Sequence, residues 1–140
     1  MLLAFDPGET TGWALFKDDG VFLGFGQVKY GEELYTSLDG FTDINTVVIE
    51  KFTLYKHKAK QQSGSEMKTS QVIGIIKTYA RNWGAEVVEQ PASIKPIAEK
   101  FSGLQASKGS HKNSHHKDAF NHAIYYFISK GILKNRILDE

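Results

Sequence analysis

The chain has 140 residues, of which 41% are hydrophobic and 24% charged, a size and composition typical of one compact domain spanning residues 1–140. It contains no cysteine, which excludes a disulfide framework, a thiol nucleophile and a cysteine-ligated metal. The net charge of +1 hides an asymmetry, because residues 1–50 carry nine acidic and two basic side chains while residues 51–140 carry seven acidic and fifteen basic ones.

The sequence shows no membrane segment and no targeting signal. No stretch approaches the roughly 20 apolar residues that are needed to span a bilayer. The first eight residues, MLLAFDPG, lack the basic start and the small-residue cleavage site of a signal peptide. We therefore expect a soluble, cytoplasmic protein without membrane contact.

The beginning of the chain predicts an antiparallel meander of three strands. Apolar or alternating runs separated by turn residues cover 2–5, 12–16 and 21–28. The first run ends at a carboxylate, Asp6, followed by proline and glycine. Asp19 and Gly20 predict a two-residue hairpin turn between the second and third strands.

The rest of the chain predicts an alternation of helices and strands. Apolar residues recur at helical spacing in the long helix, at Val72, Ile76, Tyr79 and Trp83. The predicted helices cover 65–83, 93–101 and a last one between Ser114 and Gly131, and residues 31–40 are predicted to form a short helix or a turn. The predicted strands cover 46–50 and 85–89. The run 46–50 is apolar throughout, which favours a strand that is buried on both faces. We therefore expect an α/β fold with a five-stranded mixed sheet flanked by helices.

Three carboxylates occupy positions that this topology brings together. Asp6 ends the first strand, Glu50 ends the fourth, and Asp118 lies in the opening turns of the last helix. In open α/β sheets, sites form at the carboxyl ends of parallel strands. Converging carboxylates repel one another and are costly to desolvate, so they are rarely assembled without a cation. The pattern predicts a site for Mg²⁺ or Mn²⁺, which prefer oxygen ligands.

Two histidines accompany Asp118 on the last helix. His115 lies three residues before it and His122 four residues after it, so all three project from the same side. A neutral imidazole at His115 can ligate a metal or carry a proton. A pair of divalent ions at such a site is suited to the in-line hydrolysis of a phosphodiester. Taken singly, each of these residues also has an ordinary structural explanation, as a turn former or a solvated strand or helix end.

Three motifs resemble the RuvC-like Holliday-junction resolvases of the ribonuclease H-like superfamily, especially the compact phage-type members. They are DPGETTGW at residues 6–13, VVIE at 47–50 and HHKDA at 115–119. The resemblance implies the ribonuclease H-like fold and a metal-dependent endonuclease that cuts branched DNA and resolves four-way junctions. It further implies a homodimer, with two divalent ions per site and no organic cofactor.

The resemblance also implies roles for individual residues. It makes Asp6, Glu50 and Asp118 metal ligands and catalytic residues. Many members of the family carry an aspartate where this chain has His115, and we expect this histidine to be a fourth ligand or a proton carrier.

The basic half of the chain supplies candidates for DNA contact. Seven basic residues and one acid lie between positions 51 and 81, and the loop that follows Glu50 leaves the sheet beside the site. Lysines there can bind phosphates, and aromatic side chains can stack on bases or wedge into a junction. The predicted DNA-binding residues are Lys51, Phe52, Tyr55, Lys56, Lys58, Lys60, Lys68, Lys108 and Lys112.

Other functions remain open on the sequence alone. The segment 6–12 also resembles the first phosphate loop of the actin, chaperone and sugar-kinase superfamily, although 140 residues cannot supply the two domains that enclose a nucleotide there. A nucleic-acid-binding module without activity is a second alternative, and it would be expected to lack one of the acids. A nuclease acting on flaps, other branched DNA or RNA is a third, because a fold does not fix its substrate.

Overall fold

The structure, a computed structural model, describes residues 1–52, 64–102 and 115–133. In chain order its elements are β1 (Leu2–Asp6), β2 (Thr10–Phe16), β3 (Phe22–Lys29), α1 (Glu32–Gly40), β4 (Thr46–Glu50), α2 (Gly64–Trp83), β5 (Glu86–Gln90), a 3-10 turn (Ala92–Ile94), α3 (Lys95–Ser102) and α4 (His115–Ser129).

The five strands form one mixed sheet in the order β3-β2-β1-β4-β5. The strands β1, β2 and β3 pair antiparallel, as the meander predicts, whereas β1 pairs with β4 and β4 with β5 in parallel. The helix α2 connects the parallel neighbours β4 and β5. The predicted α/β class with a five-stranded mixed sheet is confirmed.

Helices cover both faces of the sheet, because the side chains of β1 alternate between two apolar clusters. Leu3 and Phe5 pack with the apolar sides of α1 and α2. Leu2 and Ala4 face the opposite way and pack with α4. The interior strand β4 is fully buried at 47–49, in agreement with its continuous apolar sequence. The sheet thus lies between α1 and α2 on one face and α4 on the other.

The predicted two-residue turn between the second and third strands is wrong. The connection runs over residues 17–21, and the amide of Gly20 donates to the carbonyl of Lys17, which places Asp18 and Asp19 at the centre of the turn. Gly20 follows with φ 93°, a left-handed conformation that glycine adopts without the Cβ clash of other residues. The amide of Lys17 also donates to the carbonyl of Val21, so residues 18–20 form a three-residue loop that ends on a left-handed glycine, a common hairpin connection.

Among the helices of the three described ranges, none is both long and apolar enough to cross a membrane.

Candidate active site

A row of residues in register crosses the sheet at the carboxyl edge of the parallel strands. Phe5 pairs with Ile49, so the next residues, Asp6 and Glu50, end β1 and β4 side by side. The row continues in register on both sides, and in sheet order its members are Gln27, Gly12, Asp6, Glu50 and Gln90. We call this set the polar row. By the alternation along each strand, it lies on the face of the sheet that α4 covers.

The helix α4 turns its own polar residues towards the polar row. His115, Asp118 and His122 are spaced three and four residues apart, which places them on one face of the helix. The ring Nδ1 of His115 lies 2.9 Å from the Oδ2 atom of Asp6. The structure therefore brings the predicted residues Asp6, Glu50, His115 and Asp118 to one site.

Lys95, the first residue of α3, bridges two of the carboxylates. Its Nζ atom lies 2.8 Å from the Oε1 atom of Glu50 and 3.6 Å from the Oδ2 atom of Asp118. The side chains of all three are less than a quarter exposed. The ammonium group offsets part of the negative charge that the carboxylates concentrate here.

His122 supports Glu50 from inside the protein. Its side chain is fully buried, and its Nε2 atom lies 3.3 Å from the Oε1 atom of Glu50. The other ring nitrogen, Nδ1, lies 2.9 Å from the Oε1 atom of Gln90. Both nitrogens of the imidazole therefore have a partner in the polar row.

The two carboxyl groups that end β1 and β4 respond oppositely to their surroundings. Burial raises the pKa of Asp6 to about 7, and the neighbouring Glu50 and Asp118 act in the same direction, against the hydrogen bond with His115. Burial also acts to raise the pKa of Glu50, but hydrogen bonds with His122, Asp6 and Lys95 outweigh it and hold that pKa well below its usual range. The hydrogen bond with Asp6 in turn raises the pKa of His115.

The start of α4 reaches the sheet only because Gly12 has no side chain. A Cβ atom at Gly12 would overlap the carbonyl group of His115 and lie 2.5 Å from the amide nitrogen of His116. On the neighbouring strand, the Oε1 atom of Gln27 accepts a hydrogen bond from the amide of His115 at 3.0 Å. This bond satisfies one of the amides that the first turn of a helix leaves without a partner. Gly12 and Gln27 together fix the position from which His115 and Asp118 reach the site.

The donor set suits a hard divalent cation, although its side chains are not arranged around one point. Within the described ranges, no group of three or more His, Asp or Glu side chains forms a ready metal site. Oxygen donors dominate the cluster, as Mg²⁺ and Mn²⁺ prefer. Asp6 is buried beside the carboxylates of Glu50 and Asp118, and its own pKa is raised. This combination indicates a site that lacks compensating positive charge. Lys95 now occupies part of the space between Glu50 and Asp118.

A cleft of about 370 Å³ opens beside Glu50, between the ends of β1 and β4 and the start of α2. Lys51 and Phe52 line it; Lys51 is exposed and Phe52 is half-buried. Lys68 does not line this cleft, and its Nζ atom forms an ion pair with Glu9 at 2.8 Å. The other predicted DNA-binding residues lie outside the described residues: Tyr55, Lys56, Lys58, Lys60, Lys108 and Lys112.

The sequence interpretation did not find Lys95, Gln90 or Gln27. Gln90 carried a usable signal, because it ends a parallel strand in register with Glu50. Lys95 had no local signal: it opens a helix that follows a turn, and only the packing of α3 against α4 brings it to the carboxylates. Gln27 depended on the register of an antiparallel edge strand, which turn length controls.

Two solved structures of RuvC share this arrangement of elements. A Thermus thermophilus RuvC in complex with a Holliday junction substrate is 18% identical, with a TM-score of 0.66 over 95% of this chain and 97% of that chain. A second Thermus thermophilus RuvC structure is 17% identical, with a TM-score of 0.59 over 95% and 98% of the two chains. The chain has the RuvC fold. No protein-family model and no curated protein matches it, and at these identities the likeness concerns the fold alone.

Proposed function

We propose that the protein is a divalent-metal-dependent endonuclease that hydrolyses phosphodiesters in branched DNA, and that it resolves four-way junctions by paired nicks. The observation that carries this proposal is the cluster of Asp6, Glu50 and Asp118 where β1, β4 and α4 meet. The RuvC fold supports it, since one of the similar structures is described as a complex with a Holliday junction substrate.

The residues of the cluster divide into metal ligands and a proton carrier. Asp6, Glu50 and Asp118 would hold Mg²⁺ or Mn²⁺, two ions per site, with His115 as a further ligand or proton carrier. When bound, divalent ions activate the attacking water and stabilise the leaving oxygen, so the protein needs no covalent nucleophile. His115 contacts Asp6, and this hydrogen bond raises the pKa of the imidazole, which favours its protonated form. This proton is available to the oxygen that departs from the cut strand.

The DNA is expected to lie along the cleft beside Glu50. Lys51 offers an exposed ammonium group at the mouth of this cleft, and Phe52 offers an aromatic face. Lys68 would contact a phosphate after leaving its exposed ion pair with Glu9, a pair of the kind that contributes about 1 kcal/mol or less. A homodimer would present two such sites to the two symmetric strands of a junction.

The proposal is tested by cleavage of a labelled synthetic four-way junction. Linear duplex, flap and RNA substrates run in parallel, each with Mg²⁺, with Mn²⁺ or with EDTA. Paired, symmetric and metal-dependent nicks on the junction are the expected result. Cleavage mainly of flaps or RNA would keep the metal-dependent chemistry but reject the substrate, whereas junction binding without any cleavage would favour the non-catalytic module.

Simultaneous replacement of Lys56, Lys58 and Lys60 by alanine is expected to weaken junction binding and to flatten its salt dependence. Each phosphate contact releases counterions, so the slope of log K against log salt falls by about 0.9 for each lysine that binds a phosphate. Binding titrations at several salt concentrations measure this slope. Lys130→Ala is the control, because Lys130 lies over the ring of Tyr126 beyond the end of α4. An unchanged slope in the triple variant would reject these three lysines as DNA contacts.

A further inference from the structure

The buried side chain of His122 contacts Glu50 but has no role in the reaction proposed above. We infer that His122, held by Gln90, is a positioning residue that fixes the Glu50 carboxylate for divalent cation binding. The inference rests on the proposed function in one respect only, that Glu50 is a metal ligand.

The position of His122 is one where an apolar side chain would be expected. Its neighbours on α4, Ala119, Ala123 and Phe127, belong to the apolar cluster beneath the sheet. A buried polar ring costs free energy unless its nitrogens are hydrogen-bonded. Both ring nitrogens of His122 meet that condition, and both partners belong to the polar row. A fully buried imidazole with two such partners indicates a contact that serves the site.

The chemistry of the partners determines which atom donates the hydrogen bond between His122 and Glu50. An ionised carboxylate only accepts hydrogen bonds, so the Nε2 atom of His122 donates to Glu50. The side-chain amide of Gln90 has both an acceptor oxygen and a donor nitrogen, so one of its two orientations can satisfy Nδ1. Gln90 and Glu50 are paired residues of adjacent parallel strands, so the sheet itself fixes their separation. His122 is thereby clamped between two rigid strands and one helix.

The second contact of Glu50 differs in kind. Lys95 and His122 approach the same oxygen, Oε1. Lys95 has a long side chain that is 24% exposed, whereas the side chain of His122 is fully buried. A cation that draws Glu50 and Asp118 towards itself competes with the ammonium of Lys95 for these oxygens. His122 does not compete in this way and would continue to orient the carboxylate. Residues that orient a metal ligand typically affect metal affinity or activity by about 10–100-fold.

The test compares variants that remove the hydrogen bond with one that retains it. His122→Leu removes the donor, and Gln90→Leu removes the clamp while leaving His122 in place. His122→Gln keeps an amide donor that can reach Glu50. His116→Gln is the control, because His116 lies in the first turn of the same helix but contacts the ring of Phe25 and not Glu50. Circular dichroism establishes that each variant is folded.

The first readout is Mn²⁺ binding by isothermal titration calorimetry, which needs no DNA. The second is the Mg²⁺ concentration that gives half-maximal junction cleavage. We expect His122→Leu to weaken Mn²⁺ binding by about 10–100-fold and to raise the Mg²⁺ requirement similarly. His122→Gln is expected to recover most of the loss, and junction binding in EDTA should remain at the wild-type level in every variant.

Two outcomes would overturn the inference. One is wild-type Mn²⁺ affinity in folded His122→Leu, or in folded Gln90→Leu if the first variant does not fold. The other is an equal loss in the Leu and Gln variants of His122, which would indicate a packing role alone. The calorimetry separates this inference from the proposed function. If the protein cuts no junction but its Mn²⁺ affinity depends on His122, only the proposed substrate is rejected. If the wild type cuts junctions and the His122 variants bind Mn²⁺ as the wild type does, only the inference is rejected.

Discussion

Replacement of Gly12 by alanine is expected to lower the stability of the protein and to reduce cleavage by at least about 100-fold. The added Cβ would overlap the backbone of His115 at the start of α4, and neither group is the flexible end of a side chain. To relieve the overlap, the helix must move away from the sheet. A displacement of about 1 Å at a catalytic group can cost about 100-fold in rate. Overpacking of this kind typically costs about 1–3 kcal/mol of stability.

The same displacement of α4 would change the contacts of both His115 and Asp118. The hydrogen bond from the amide of His115 to Gln27 would lengthen, and so would the contact between the imidazole and Asp6. Asp118, one turn further on, would move with the helix. The loss should therefore appear as a lower rate at saturating metal and not only as weaker DNA binding.

Gly24→Ala provides a matched control for this substitution. Gly24 lies on the edge strand β3 of the same sheet, and a Cβ there would meet no atom within 4 Å. We expect this variant to retain the wild-type melting temperature and cleavage rate. Thermal unfolding and junction cleavage of the two alanine variants together provide the measurement. Wild-type behaviour of Gly12→Ala would contradict the close approach of α4 to the sheet.

Local patterns predicted those parts of the site that depend on one element at a time. The apolar runs that stop at Asp6 and Glu50 gave both strand ends correctly, and the helical spacing of the last segment placed His115, Asp118 and His122 on one face. Asp6 and Glu50 become neighbours only because β1 pairs with β4 in parallel, a pairing that the two apolar runs do not determine by themselves.

The remaining parts of the site depend on contacts between elements. Lys95 reaches Glu50 only through the packing of α3 on α4, and nothing in its own segment distinguishes it from a solvated lysine. Gly12 resembles any glycine that follows a turn, yet the helix lying over it determines its role. Interactions of this kind are set by tertiary packing, which neither periodicity nor propensity encodes. The basic residues after Phe52 and the segment 103–114 lie outside the described residues, so their predicted DNA contacts stay predictions.

Replacement of Asp6 by asparagine is expected to abolish cleavage while leaving junction binding largely intact and raising stability above neutral pH. Loss of a residue that only orients a metal ligand costs about 10–100-fold, so loss of the ligand itself should cost more. The lysines that are proposed to bind phosphates are unchanged by this substitution. Cleavage assays with Mg²⁺ and binding titrations in EDTA measure the two effects separately. Unchanged cleavage by a folded variant would reject the assignment of Asp6.

The effect of this substitution on stability has a definite sign. The pKa of Asp6 is raised from 3.8 to about 7 in the folded protein, so the folded state binds more protons than the unfolded state between these two values. The stabilisation of the folded state by protonated Asp6 is therefore fully present below about pH 4 and is lost as the pH rises through 7. At pH 8 in EDTA, the wild type must bury a carboxylate that is costly to desolvate, whereas the variant buries a neutral amide of the same size.

The melting temperature of Asp6→Asn should therefore exceed that of the wild type at pH 8 by several degrees, since about 1 kcal/mol shifts the melting temperature of a domain of this size by a few degrees. The difference should shrink as the pH falls towards 4. Asp18→Asn serves as a control of opposite sign, because the hydrogen bond from Asn45 lowers the pKa of the exposed Asp18. A less stable Asp6→Asn at pH 8 would mean that the carboxylate stabilises the fold. The predicted gain instead identifies Asp6 as a group that costs the protein stability, as expected of a side chain retained for binding a cation.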